Sequence, residues 1–220
     1  MIINKFFIPR QILIILLLAV ALNIIRFFMF ESRYFIYLLW NIFLAIIPFI
    51  VSSILLWYAL KKRLTSGVFI IGGIIWILFL PNAPYLVTDI IHLGRNYSAP
   101  LLYDTFLVFT SAWVGLLLGL YSLSHIDKII RLKYSNRTAS IILALIILVT
   151  SFGMYLGRFL RFNSWDVISN PSLLFSNIHN ILSKPSGYAD AYIFSGLSFL
   201  FLYVSYIAWK STKTESKDNI

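Results

Sequence analysis

Long apolar runs separated by short polar segments dominate the pattern of this chain. Six runs approach or exceed the roughly 20 residues that a helix needs to cross about 30 Å of hydrocarbon. They predict six helices, at about 12–30, 34–59, 68–93, 101–124, 138–160 and 189–209. The sequence therefore predicts an all-α, polytopic membrane protein with one transmembrane domain over residues 1–210. The polar residues 211–220 are predicted to form a disordered cytoplasmic tail.

The third run is broken near its outer end by the stretch "LPNAPYLVTDIIHLGRN", Leu80 to Asn96. Its second proline, Pro84, suits the first turn of a new helix, with Asn82 or Ala83 as the cap. Gly94 suits the end of that helix. Backbone that prolines free at membrane depth must be buried in protein or line a wet cavity. The break therefore marks a candidate site.

An α-helix after the break would separate polar from apolar side chains. At about 100° per residue, one face holds Tyr85, Thr88, Asp89 and His92. Leu86, Val87, Ile90, Ile91 and Leu93 fall on the other face. Two interpretations remain open: an inward-facing site, as in transporters with broken helices, or an amphipathic helix on the membrane surface.

Composition agrees with the membrane class. Hydrophobic residues make up 60% of the 220 residues and charged residues 12%, against roughly 45–50% and 25% in soluble domains. The chain contains no cysteine, which excludes disulfides and thiolate chemistry.

The placement of charge predicts the topology. Twelve Lys and Arg residues fall on the side of the two termini and five on the other side, with Arg26 inside the first span. Because Lys and Arg accumulate in cytoplasmic loops, both termini are predicted to be cytoplasmic. The net charge of +10 thus indicates orientation, and the predicted partner is the lipid bilayer, with no nucleic acid. Five of the eight acids are predicted to lie on the outer side, namely Glu31, Asp89, Asp104, Asp166 and Asp190.

A second polar motif, "GRFLRFNSWD", runs from Gly157 to Asp166 at the end of the fifth span. Arg158 and Arg161 are three residues apart, and Trp165 follows Arg161 by four, so a cation–π contact is expected if the helix continues. Two guanidinium groups can hold a phosphate or carboxylate. The alternative is a pair of anchoring arginines with an interfacial tryptophan.

In the fourth span, Asp104, Ser111, Gly115 and Ser122 fall close to one line of the helix, which predicts that this line faces the protein interior. Gly115 and Gly119 are predicted to serve helix packing.

Arg26 in the first span is predicted to find an acidic partner. Asp89, Asp104 and Asp190 are the candidates.

Metal and serine chemistry have weak support. Asp89, His92, His179 and Asp166 offer oxygen and nitrogen ligands for a divalent metal. No metal-binding motif such as HExxH is present, and no cofactor is predicted. No GxSxG motif occurs, and His125 is placed on the cytoplasmic side beside the basic loop.

The motifs "LPNAPYLVTDIIHL" and "GRFLRFNSWD" resemble the signatures of a bacterial integral-membrane family catalogued as domain of unknown function 1361. The resemblance extends over most of the chain. It departs from the family pattern at Phe162, where the family often has Trp. It implies a bacterial cell-membrane location, and it carries no catalytic or binding assignment.

The leading hypothesis is one outward-facing polar site that binds an anionic or lipid-linked ligand. Asp89 and His92 would be its acid/base pair if it is catalytic. The ligand-binding residues would be Asn82, Tyr85, Asp104, Arg158, Arg161, Trp165 and Asp166. Two alternatives remain: a transporter or channel that uses the same cluster, and a non-catalytic subunit that docks another membrane protein.

Overall fold

The computed structural model describes residues 9–94 and 99–218, with only the backbone for residues 213–218, and every regular element in this part is a helix. Six helical stretches are long and apolar enough to cross a membrane: Arg10–Phe30, Tyr37–Leu60, Ser66–His92, Leu101–Arg131, Asn136–Arg158 and Pro185–Thr212. The predicted all-α, six-span architecture is therefore confirmed. The protein is a multi-pass membrane protein.

Nine α-helices and two 3₁₀ helices lie in the described part of the chain. The α-helices are α1 (Arg10–Phe30), α2 (Tyr37–Leu60), α3 (Ser66–Phe79), α4 (Asn82–Tyr85), α5 (Leu101–Arg131), α6 (Asn136–Arg158), α7 (Asp166–Ser169), α8 (Pro171–Ser183) and α9 (Ala189–Asp218). The 3₁₀ helices are Leu86–His92 and Pro185–Tyr188. The chain divides into two compact units, Met1–Ile129 and Ile130–Ile220. The single domain over residues 1–210 stays a prediction.

Local sequence signals explain several helix ends. Thr65 and Ser135 cap α3 and α6, because their hydroxyls accept the backbone N–H groups of Val68 and Thr138. Lys62, with a φ of 55°, reverses the chain after α2 in the left-handed conformation that often ends helices. Helix α5 runs to Arg131 and α9 to Asp218, each past the predicted end of its span.

The core of the first unit is apolar and draws on α1, α2, α4 and α5. Its fully buried side chains include Leu38 of α2, Leu86 and Leu107. The predicted polar line of α5 also faces the interior: Asp104, Ser111, Gly115 and Ser122 are all buried. Ser122 accepts a hydrogen bond from the Trp76 indole at 2.6 Å and donates to the Pro48 carbonyl at 3.0 Å. The line thus binds α2 and α3 to α5.

In the second unit, α6 packs along α9, and α8 closes one end of the pair. The small core there contains Tyr155, Ile181 and Ala191. Between the fifth and sixth predicted spans, where no helix was predicted, the chain forms α7, α8 and a 3₁₀ turn. Pro171 at the first turn of α8 suits a helix start.

Candidate functional site

At the break in the third span, local hydrogen bonds satisfy the backbone carbonyls that the regular helix leaves without a partner. Helix α3 ends at Phe79, whose carbonyl accepts the Asn82 side-chain amide at 2.9 Å. The Leu80 carbonyl, which the missing N–H of Pro84 leaves open, accepts the Ala83 N–H at 3.1 Å. Asn82 therefore closes the preceding helix, where the sequence had placed it as a cap for the next. The break itself, and Gly94 at its end with a φ of 74°, agree with the prediction.

Residues Leu86–His92 form a 3₁₀ helix, not the predicted α-helix. At about three residues per turn, Leu86, Asp89 and His92 stand above one another on one line. Leu86 and Asp89 are both fully buried, whereas Ile90 and Ile91 are exposed. The prediction that Leu86 shares the face of Ile90 was thus wrong, because it assumed α-helical spacing.

Close packing against α5 explains why this segment is held inside the protein. A Cβ atom on Gly115 would meet the Ala83 carbonyl oxygen and lie 2.6 Å from the Cδ1 atom of Leu86. One on Gly119 would lie 3.4 Å from the Ala83 Cβ. The predicted packing role is confirmed for Gly115, whereas a Cβ on Gly119 would make only an ordinary van der Waals contact.

The buried carboxylate of Asp89 lies next to α2. The Asn41 side-chain amide donates to its Oδ2 atom at 3.4 Å. His92 is partly buried and packs edge-on against the Tyr37 ring, with 5.8 Å between the ring centroids. Thr88 donates its hydroxyl to the Tyr85 carbonyl at 2.6 Å. The side chain of Asp89 thus faces protein, as the inward-facing interpretation requires, and not the membrane surface.

Asp104 is the acidic partner of Arg26. The guanidinium Nε lies 2.6 Å from Oδ1 of Asp104, and Nη2 lies 3.1 Å from Oδ2. Both side chains are almost completely buried. The same guanidinium stacks 4.8 Å from the centroid of the Phe35 ring. Of the three acids that the sequence offered, the structure selects Asp104, and both oxygens of its carboxylate are engaged.

In the second unit, α6 ends at Arg158, and the chain then reverses. Arg161 adopts a φ of 59° in the left-handed region, and the Phe162 N–H bonds back to the Leu156 carbonyl at 3.1 Å. The helix therefore does not continue, so Arg158 and Arg161 are not neighbours on one helical face. The predicted contact between Arg161 and Trp165 is not among the cation–π pairs of the described residues.

Asp166 organises the turn that follows. Its carboxylate accepts the Asn163 backbone N–H at 2.6 Å and the Ser169 hydroxyl at 2.8 Å, with the Asn170 amide at 3.5 Å. These bonds, foremost the one from the Asn163 backbone, hold the pKa of Asp166 below its ordinary value against the opposing effect of burial. Asp166 therefore acts as the local organiser of its turn.

The arginines and the tryptophan near this turn differ in exposure. Arg158 is partly buried, Trp165 is exposed, and Arg161 is exposed. In the part of the chain that the structure describes, Arg161 has neither an ion pair nor a hydrogen bond through its side chain.

The predicted site residues thus divide into two sets. The first unit contains Asn82, Tyr85, Asp89, His92 and Asp104, and the second contains Arg158, Arg161, Trp165 and Asp166. His179, the further candidate ligand for a metal, is exposed on α8. Within residues 9–94 and 99–218, no three His, Asp or Glu side chains are grouped to hold a metal ion.

Sequence reasoning missed a second polar cluster, around His125. The longer α5 buries this residue, whereas the sequence placed it beside a loop. Its Nδ1 atom lies 3.2 Å from the Ser52 hydroxyl and 3.4 Å from the Ser53 hydroxyl. Both hydroxyls are also bonded to the Phe49 carbonyl. The adjacent serines within the apolar run of α2 were the available signal.

One family model matches this chain. It is described as "Protein of unknown function (DUF1361)", and it matches residues 40–206. Neither a curated protein nor a solved structure gives a match. The matched range includes both the broken third span and the turn after α6.

Proposed function

The chain belongs to the family described as "Protein of unknown function (DUF1361)", and we propose that it binds an anionic lipid-type ligand on the outer side of a bacterial cytoplasmic membrane. The ligand phosphate is held by Arg158 and Arg161. The six spans and the excess of Lys and Arg on the side of the termini support this placement. Five cations remain on the outer side, and two of them are these arginines.

The proposal rests on the different environments of Asp166, which is hydrogen-bonded within its turn, and Arg161, which is exposed. Asp166 is the acid nearest to Arg161 in the sequence, but its oxygens are engaged by Asn163, Ser169 and Asn170. It therefore does not neutralise Arg161, which is exposed. The carboxylate of Asp166 is thus engaged in hydrogen bonds within its own turn, and the guanidinium of Arg161 remains available to bind an anion.

The chemistry of the ligand follows from these groups. A guanidinium presents a planar fork of donors that matches two oxygens of a phosphate. Trp165 follows Arg161 closely in the sequence and is exposed. Exposed Trp residues are typical of the headgroup level in membrane proteins. A lipid phosphate, which combines a phosphate group with acyl chains, suits both the guanidinium groups and the exposed Trp165 better than a free phosphate does.

A binding titration tests the proposal. Fluorescent short-chain phosphatidylglycerol is added to the purified protein, and its anisotropy is compared for the wild type, Arg161→Gln and Arg33→Gln. Arg33 is another exposed outer arginine, so it is the matched control. Loss of a charged hydrogen bond worth about 1.5–3 kcal/mol weakens binding by roughly tenfold or more in Arg161→Gln. Equal affinities for the two variants would reject the proposal.

A second candidate function, transport of an ion or substrate, rests on Asp89. A carboxylate fully buried in a broken span is typical of ion and substrate paths. In proteoliposomes, Asp89→Asn would then abolish a proton or sodium flux that Glu31→Gln, at an exposed outer acid, leaves intact. The absence of any such flux in the wild-type protein would reject this candidate.

A further inference from the structure

Helix α8 (Pro171–Ser183) lies between two spans, since one ends at Arg158 and the next begins at Pro185. Its two buried side chains, Leu174 and Ile181, project along nearly the same line, about 20° apart at 100° per residue. The side of α8 that contains this line therefore packs on the rest of its unit, and Asn177, Ile178 and Asn180 beside it are partly buried.

Two contacts fix the depth of α8 relative to those spans. Tyr192, in the first turn of α9, donates its hydroxyl to the Ile181 carbonyl at 3.0 Å. Ile181 also packs with Tyr155, in the last turn of α6, and with Ala191. Because these partners mark the ends of two spans, α8 lies at the level where spans meet the headgroups.

The exposed side chains of α8 are sorted around the helix. Leu173 lies about 90° to one side of the buried line, and Phe175 and Leu182 lie about 90–110° to the other. These three are 57%, 58% and 62% exposed. The face opposite the buried line is polar and exposed, and consists of Ser172, Ser176, His179 and Ser183. The helix thus has an apolar flank at Phe175 and Leu182 and a polar top, and on the other flank Leu173 is exposed beside the partly buried Asn177 and Asn180.

This pattern matches a helix sunk to about half its diameter in a membrane surface, with its polar side toward water. Residues 171–183 include no Lys, Arg, Asp or Glu, so water alone is a poor environment for the two flanks. Ile168, just before α8, is 83% exposed and adds to the apolar surface.

We propose that α8 is an interfacial helix whose flanks, at Leu173 and at Phe175 with Leu182, contact the phospholipid acyl chains of the leaflet at that end of the spans. The orientation follows from the exposed residues on each side and from the depth set by Tyr192 and Tyr155. It does not depend on ligand binding by Arg161, since it concerns only the position of α8 in the membrane.

Single-cysteine labelling tests this directly, because the chain contains no cysteine. Nitroxide labels are placed at Phe175→Cys and Leu182→Cys, and at the adjacent polar positions Ser176→Cys and Ser183→Cys as matched controls. The protein is reconstituted in vesicles of phosphatidylethanolamine and phosphatidylglycerol. Collisions of each label with oxygen, which concentrates in lipid, are compared with collisions with a water-soluble nickel chelate.

The proposal predicts a ratio of oxygen to nickel collisions several-fold higher at positions 175 and 182 than at 176 and 183. A ratio equal to that of the controls, with free access for nickel, would place the flanks in water and overturn it. Labels at 175 and 182 that neither reagent reaches would show a covering protein chain, which also overturns it. Leu173→Cys provides an independent position on the opposite flank if one of the other variants fails to fold.

Discussion

Arg26 and Asp104 form a two-point ion pair between α1 and α5, with Nε–Oδ1 at 2.6 Å and Nη2–Oδ2 at 3.1 Å. They are 78 residues apart in sequence, and neither side chain is more than 3% exposed. Charged groups inside a membrane protein are costly unless they are paired. Pairing therefore allows the two charges to be buried inside the first unit. Asp104 has a structural role there.

Asp104→Asn is expected to destabilise the protein strongly, because it leaves the Arg26 charge buried without its anion. Breaking a buried ion pair typically costs about 3–5 kcal/mol. The double replacement Arg26→Met with Asp104→Leu removes both charges and should recover much of that loss. Thermal unfolding of the purified protein in detergent measures both variants.

Glu31→Gln provides the control for Asp104→Asn, since Glu31 is an exposed acid at the end of the same α1 helix. It should leave the unfolding midpoint nearly unchanged. If Asp104→Asn shifted the midpoint no more than Glu31→Gln, the ion pair would not have the structural role assigned to it.

Gly115→Ala is expected to destabilise the first unit by about 1–3 kcal/mol, the usual cost of overpacking a core. The added Cβ would collide with the backbone carbonyl of Ala83, which cannot move without shifting the broken segment. Gly119→Ala meets its nearest atom at 3.4 Å, and Gly73→Ala meets nothing within 4 Å. These two controls should unfold close to the wild-type temperature. Equal midpoints for all three variants would refute the close approach.

The spans and the interior line of α5 could be predicted from the sequence because they depend on local pattern. Apolar length alone sets the number of spans. The periodic placement of Asp104, Ser111 and Ser122 sets the buried face. The broken span was predictable because two prolines forbid a regular helix.

The details of the sites could not be predicted in the same way. The 3₁₀ segment after Pro84 packs through Leu86 against Gly115, a contact between distant parts of the chain that local pattern does not contain. The sequence left three acids as candidate partners of Arg26, and only the arrangement of the helices identifies the partner. Helix α8 did carry a signal, namely Pro171 followed by apolar residues at helical spacing, but it is too short to cross a membrane, and no helix was predicted between the fifth and sixth spans.

The order of the turn at 163–170 should depend on the ionisation of Asp166. Because the folded pKa of Asp166 is lowered, its stabilising effect is present above the ordinary value of 3.8 and is lost as the pH falls through the folded value. A nitroxide label at Ile168→Cys should keep constant mobility from neutral pH down to about 4 and become more mobile below it.

Adding Asp166→Asn to that label should make it mobile already at neutral pH, because an amide accepts these donors less strongly. A label at Ser176→Cys serves as the reference for general acid unfolding. Mobility at Ile168 that rises together with that of the reference, and is unaffected by Asp166→Asn, would contradict the assigned role of Asp166.

The predicted orientation can be tested with a membrane-impermeant thiol reagent on intact cells. Cysteines introduced at Ser172 and Ser176 should react before the cells are opened, since the charge distribution predicts that α8 lies on the outer side, which carries few cations. A cysteine at Thr138, which follows the basic loop before α6, should react only after the cells are opened. The reverse pattern would invert the topology and remove the outward-facing site.

The central claim is that Arg161 holds a lipid phosphate, and native mass spectrometry of protein extracted mildly from its own membrane tests it most directly. The wild type should retain a phospholipid or other phosphate-bearing lipid, and Arg33→Gln should retain the same species. Arg161→Lys keeps the charge but loses the guanidinium fork, so it should retain less, and Arg161→Gln should retain least. Equal retention of the same lipid by the wild type, Arg161→Lys and Arg161→Gln would contradict the claim.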